Sequence, residues 1–219
     1  MPSTLKVDYF SDVLCVWAWI AQQRIDELEV QWGEKIELQH HYINLFGDTV
    51  GRIEKQWSKR GGYDGFGEHV VEAAAPYISD PLNSNIWTKT RPATSANAHL
   101  VIKAAELAGS AADAAMLAVS IRRSFFSDAL DIGKISVLLD LASDAGSDVT
   151  QIKESLDDGT ASAALMSDYL LASEQDISGS PSWVMNGGRQ KLYGNVGYHV
   201  LHANVEGLLN NYGDEASWC

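Results

Sequence analysis

Two places in this chain hold the residue types needed for thiol chemistry. One is Cys15, between an apolar run and a helical pattern; the other is the distant stretch Ser178-Gly179-Ser180-Pro181-Ser182. A cysteine where a helix begins meets unpaired backbone N–H groups and the positive end of the aligned peptide dipoles. Both favour the thiolate, so the position predicts a lowered thiol pKa and a nucleophile available at neutral pH. The competing reading is a small buried cysteine that serves only as a core hydrophobe. Pro181 falls at the head of a strand-like run, a place where proline is tolerated. A cis bond there would leave the Ser180 backbone free to pair with an extended backbone from a ligand. The chain has 2 cysteines, and the other, Cys219, is its last residue. A pair so far apart is no disulfide framework. His40 and His41 alternate on a strand and cannot both face one site. His69, His99, His199 and His202 show no metal-ligand spacing with cysteines, so no metal site is expected.

The elements that must position these residues read as follows. Leu5 to Phe10 alternates as a strand, and a helical pattern runs from about Val16 to Trp32 before Gly33. A second strand is expected at about Ile36–Ile43, which opens a parallel β–α–β unit. The region from Gly47 to Asp80 reads as helix, glycine-rich loop, helix. The loop is Gly61 to Gly67, which lacks the Lys-Ser/Thr and the context of a phosphate loop. Helices are expected near 94–108, 111–126, 134–145, 148–157 and 161–175, jointed at Gly109, Gly133, Gly146 and Gly159. Short strands at Ser182–Met185 and Gln190–Tyr193 flank Asn186-Gly187-Gly188, which suits a tight antiparallel hairpin. A last helix covers about Val196–Asn210. The fold class is therefore α/β, with one mixed sheet split in sequence by a helical block. The expected domains are 1–46 with 160–212, a helical insertion at 47–159, and a mobile tail at 213–219.

Composition narrows the function. The 219 residues carry a formal net charge of −13, which disfavours nucleic acid and anionic membrane surfaces as partners. No run reaches about 18 apolar residues, the length of a membrane span. The first residues lack the pattern of a secretory leader, so a reducing cytoplasm is the expected setting, where an unpaired thiol is normal.

The run Asp8-Tyr9-Phe10-Ser11-Asp12-Val13-Leu14-Cys15-Val16-Trp17-Ala18-Trp19-Ile20-Ala21 resembles the strand, active-site loop and helix start of DsbA-like proteins in the thioredoxin superfamily. Arg91 to Gly109 and Ala129 to Gly146 resemble that branch's helical insertion, and Ser180-Pro181 its cis-proline position. The resemblance implies a thioredoxin fold with Cys15 as the catalytic nucleophile. It also implies glutathione as co-substrate, met by Trp17, Ser180, Pro181 and Asn44. Lys55, Lys59 and Arg60 are weaker candidates for glutathione carboxylates. Two departures matter: Ala18 stands where dithiol members carry the second cysteine, and Val16 where they carry proline. Without a resolving thiol, a mixed disulfide on Cys15 needs an outside thiol for release. The branch also contains hydroxychromene-carboxylate isomerases and kappa-class glutathione transferases, where a serine at the matching position assists a bound glutathione. Cys15 is thus open to two roles, covalent redox nucleophile or neighbour of a reacting glutathione. The expected activity is a monothiol, glutathione-linked thiol-disulfide oxidoreductase. The alternatives are a transferase or isomerase for a small aromatic substrate, and a binding module without chemistry. The substrate would be a small molecule or another thiol or disulfide, and the branch also allows a homodimer.

Overall fold

The computed structural model describes residues 4–210, so the expectations for the tail at 213–219 and for Cys219 lie outside it. Strand β1 (Leu5–Ser11) leads through a tight turn into helix α1 (Val16–Trp32), and strand β2 (Ile36–Tyr42) follows. Helices α2 (Thr49–Trp57), α3 (Gly62–Ala74), α4 (Ala96–Ala108), α5 (Ala111–Phe126), α6 (Ile135–Asp144), α7 (Val149–Asp157) and α8 (Thr160–Glu174) come next. Strands β3 (Ser182–Met185) and β4 (Gln190–Tyr193) and helix α9 (Tyr198–Leu209) close the described chain.

The sheet order is β2-β1-β3-β4. β1 runs parallel to β2, with Tyr9 opposite His40, and antiparallel to β3, with Tyr9 opposite Trp183. β3 and β4 form the expected antiparallel hairpin. Asn186, Gly187 and Gly188 all take positive φ in its turn, at 54°, 60° and 88°. Central β1 is covered on both faces, as its alternation requires. Val7 and Tyr9 pack with Ile25 and Leu28 of α1 and Leu201 and Val205 of α9. Phe10 faces the other way, onto Ile43, Ala172, Ile177 and Val184.

The first turn of α1 belongs to a different cluster. Leu14, Cys15, Val16, Ala18 and Ile20 share one apolar core with Trp87, Val101, Leu117, Ile121, Phe125 and Phe126 from the helical block. Burying a leucine, isoleucine or phenylalanine side chain contributes about 1.5–3 kcal/mol, so this core fastens the helices to the cysteine's end of the sheet.

The expected glycine-rich loop at Gly61–Gly67 is a correction. Gly61 takes φ 87° and turns the chain, and α3 begins at Gly62. Gly65 lies against the backbone of the preceding turn, where a Cβ would come 1.9 Å from the Arg60 carbonyl oxygen. The glycines serve a close backbone approach, which composition cannot distinguish from a loop.

Candidate active site

Cys15 occupies the N-cap position of α1, with φ −81° and ψ 117°. Its N–H donates to the Asp12 carbonyl at 3.0 Å, closing the turn that separates β1 from the helix. The Ser180–Pro181 peptide bond is cis. The Cys15 Sγ–H donates to the Ser180 carbonyl at 3.2 Å, and the Asp12 N–H donates to Ser180 Oγ at 3.0 Å. Segments 165 residues apart thus meet at the sulfur.

The sulfur is enclosed, with Cys15 only 4% exposed. Burial has the largest influence and pushes the thiol up. The Ser180 contact and the Ala18 and Trp17 N–H groups pull it down, the Asp12 charge pushes it up again, and the net shift is upward. This corrects the expectation of a lowered pKa. A helix N-terminus supplies up to about 2 kcal/mol for an anion, or roughly 1.5 pKa units. Desolvation reaches about 3–5 units for a fully buried group and wins here. The resting sulfur is a thiol that donates a hydrogen bond.

Asp12 is the hub beneath it, fully buried. Its Oδ1 accepts from the Leu14 N–H at 2.9 Å. Its Oδ2 accepts from the Leu45 N–H at 3.1 Å, the Phe46 N–H at 2.8 Å and the Ser95 hydroxyl at 2.7 Å. The carboxylate therefore joins the cysteine loop, the segment after β2 and the start of α4. His99 completes the surroundings: its Nε2 accepts from the Val13 N–H at 3.2 Å, and its ring stacks on Tyr42 at 4.9 Å. Burial lowers the His99 pKa and keeps the ring neutral. Arg122 of α5, 1% exposed, donates to Ser11 Oγ at 2.8 Å at the end of β1.

The chain from β1 to α9 is matched by the family model described as DSBA-like thioredoxin domain, over residues 6–206. The chain belongs to that family. The ClpXP adapter protein SpxH of Halalkalibacterium halodurans is 26% identical over 215 residues, spanning 94% of this chain and 68% of that protein. Among solved structures, the cytosolic disulfide reductase DsbM of Pseudomonas aeruginosa superposes with TM-score 0.70 at 19% identity, covering 94% of this chain and all of that one. The same protein with GSH superposes at 0.64. A 2-hydroxychromene-2-carboxylate isomerase also superposes at 0.64, with 16% identity, over 97% of this chain and 100% of the other. At these identities the superpositions are a likeness of fold.

In this DSBA-like chain Cys15, Ser180 and Pro181 converge. Ala18, fully buried, stands three residues on, where the motif of dithiol relatives has its second thiol. Trp17 is half-buried on the first turn of α1, its ring edge-on to Tyr77 at 5.9 Å. Asn44, with Ser178, Ile177 and Tyr169, lines a cavity of about 310 Å³ whose lining does not include Cys15. Asn44 Oδ1 covers Gly47, where a Cβ would come within 1.8 Å. Lys55, Lys59 and Arg60 do not line that cavity, and the Arg60 guanidinium sits over the Trp57 ring at 3.8 Å.

His41 and His40 separate as their alternation requires. His41 bridges two carboxylates, Nδ1 to Asp168 Oδ1 and Nε2 to Asp8 Oδ1, each at 2.9 Å. Burial works against its charge, but Asp168 and Asp8 outweigh it and raise the His41 pKa. From the sequence alone Asp12 reads as a loop residue whose carboxylate would oppose a Cys15 thiolate, and Ser95 and Arg122 carry no signal as site residues. Ser95 and Arg122 meet β1 and its loop across 83 and 111 positions, with no local motif to mark them.

Proposed function

We propose that this chain is a monothiol, glutathione-linked thiol-disulfide oxidoreductase that uses Cys15. The observation that carries this reading is the Cys15 Sγ seated 3.2 Å from the Ser180 carbonyl, with Ala18 in place of a resolving thiol. The Cys15 thiol loses its proton, and the thiolate attacks one sulfur of a disulfide. A Cys15 mixed disulfide forms, and the other half leaves as a thiolate that takes up a proton. Glutathione thiolate then attacks the mixed disulfide. If the group on Cys15 is glutathione, oxidised glutathione departs and the Cys15 thiolate is regenerated. Over that cycle a glutathionylated thiol and one glutathione are converted to a free thiol and one oxidised glutathione, with Cys15 regenerated.

Glutathione fits the groups present as a co-substrate. Ser180 offers backbone beside the sulfur, Trp17 a wall beside it, and Asn44 with Ser178 polar groups in a neighbouring cavity of about 310 Å³. That volume is at the small end of the range for small-molecule sites, about 300–1,000 Å³. The fold likeness to a cytosolic disulfide reductase, one of whose structures holds GSH, supports the same reading and the cytoplasmic setting.

A second reading is a binding module without redox chemistry. It is favoured by the burial of Cys15 and by the adapter role named for the SpxH relative. Mass spectrometry after incubation with oxidised glutathione separates the two. The expected result is a single glutathione adduct on Cys15, removed by excess reduced glutathione. An unmodified Cys15 at alkaline pH, with Cys15→Ser still binding its partner, supports the module instead. Turnover of an aromatic electrophile that survives in Cys15→Ser would point to a transferase or isomerase.

A further inference from the structure

Among the described residues β2 is an edge strand, with β1 on one side and no strand on the other. The Ile43 N–H turns inward to the Ser11 carbonyl at 3.1 Å, while the Tyr42 N–H turns outward to Asp168 Oδ2 at 3.0 Å. Backbone groups alternate along a parallel strand, so those of Leu38 and His40 point outward with Tyr42. α8 supplies Asp168 at the Tyr42 end only. Along the rest of the edge runs a groove of about 510 Å³, bounded by Ile102 of α4 and Ala112 and Ala115 of α5. It shares no residue with Cys15, Trp17, Asn44, Ser180 or Pro181.

Two buried polar atoms on lining residues, Tyr42 OH and His40 Nδ1, have no hydrogen-bond partner among the described residues. The charge of the groove is equally lopsided. Lys103 is engaged by Glu106 at 2.6 Å and Asp168 at 3.4 Å, and His41 by its two aspartates. Glu29 and Glu37 are exposed at the rim, and among the described residues neither pairs with a cation. Burial raises the Glu29 carboxyl, and the neighbouring Asp26 adds to the rise.

We propose that the outer edge of β2 takes up an extended, basic peptide segment of a partner protein as an added strand. Its backbone pairs with the outward groups of Leu38 and His40. Its small or apolar side chains face Ala112 and Ala115, and its lysines or arginines reach Glu29 and Glu37. An open strand edge is a template for such pairing. A second copy of this chain is the poorer occupant, since each copy carries a formal charge of −13 and presents the same glutamates.

The test uses the full chain and a labelled peptide of alternating lysine and valine, with a glutamate–valine peptide for comparison. Fluorescence anisotropy should register the basic peptide alone, and the Leu38 and His40 amides should gain protection from hydrogen exchange. Glu29→Lys with Glu37→Lys, both at exposed positions, should weaken binding by about tenfold or more while thermal unfolding stays in place. Equal binding of both peptides, protection elsewhere, or an unchanged affinity in the double variant would overturn the proposal. So would protection of these amides that rises with protein concentration without peptide, since that is pairing between copies.

Discussion

Cys15 and Asp12 act on each other through charge as well as position. Burial and the Asp12 carboxylate both disfavour the thiolate, against the Ser180 contact and two helix N–H groups. Alkylation of Cys15 should therefore accelerate with pH through a midpoint above the ordinary cysteine value of about 8.5, as followed with a maleimide probe. A midpoint below that value would contradict the structure. Asp12→Asn removes the opposing charge and keeps one carbonyl acceptor, so alkylation at neutral pH should quicken. The same change turns an amide toward donors that now face a carboxylate. It should cost about 1–3 kcal/mol in urea unfolding. Asp12→Ala strands the donors of Leu14, Leu45, Phe46 and Ser95 together. That variant should lose about 3 kcal/mol or more.

Elements are joined by a second polar device, His41. From β2 it holds Asp8 of β1 and Asp168 of α8 at once, and Asp168 also takes the Tyr42 N–H and Lys103. The His41 pKa is raised in the fold, so its contribution is complete below the unfolded value of about 6.5 and fades as pH rises through the folded value. Asp8 runs the other way: burial opposes ionisation, but His41 and Lys6 lower its pKa. Its contribution is present above the unfolded value of about 3.9 and is lost as pH falls through the folded one. Thermal melts should thus show the clamp at full strength between about pH 4 and pH 6.5, with stability declining on the alkaline side. His41→Asn should remove that alkaline decline; a parallel decline in the variant would assign it elsewhere.

At the scale of the whole molecule, the helices inserted between β2 and β3 do not pack as a separate body. Ile121 and Phe125 of α5 share a core with Val16 and Ile20 of α1, and Arg122 reaches Ser11 at the end of β1. A core of this kind predicts one cooperative transition. Ile121→Ala, at a fully buried position, should cost about 2–5 kcal/mol. It should shift far-UV circular dichroism and tryptophan fluorescence together in urea. Two separated transitions would mean that the sheet and the helical block unfold as independent domains.

Strand, helix and hairpin periodicity, the cysteine at a helix start and the proline before β3 were all legible from residue order. Each depends on neighbours within a few positions, where side-chain spacing and backbone preference act directly. The protonation of Cys15 was not legible, because the local helix field and the enclosure of the sulfur have opposite signs. The enclosure comes with the apolar core that this end of α1 shares with the helical block, far away in sequence. Asp12 as a hub and His41 as a clamp share that origin. Each is defined by partners that only the folded chain brings within hydrogen-bond or van der Waals reach.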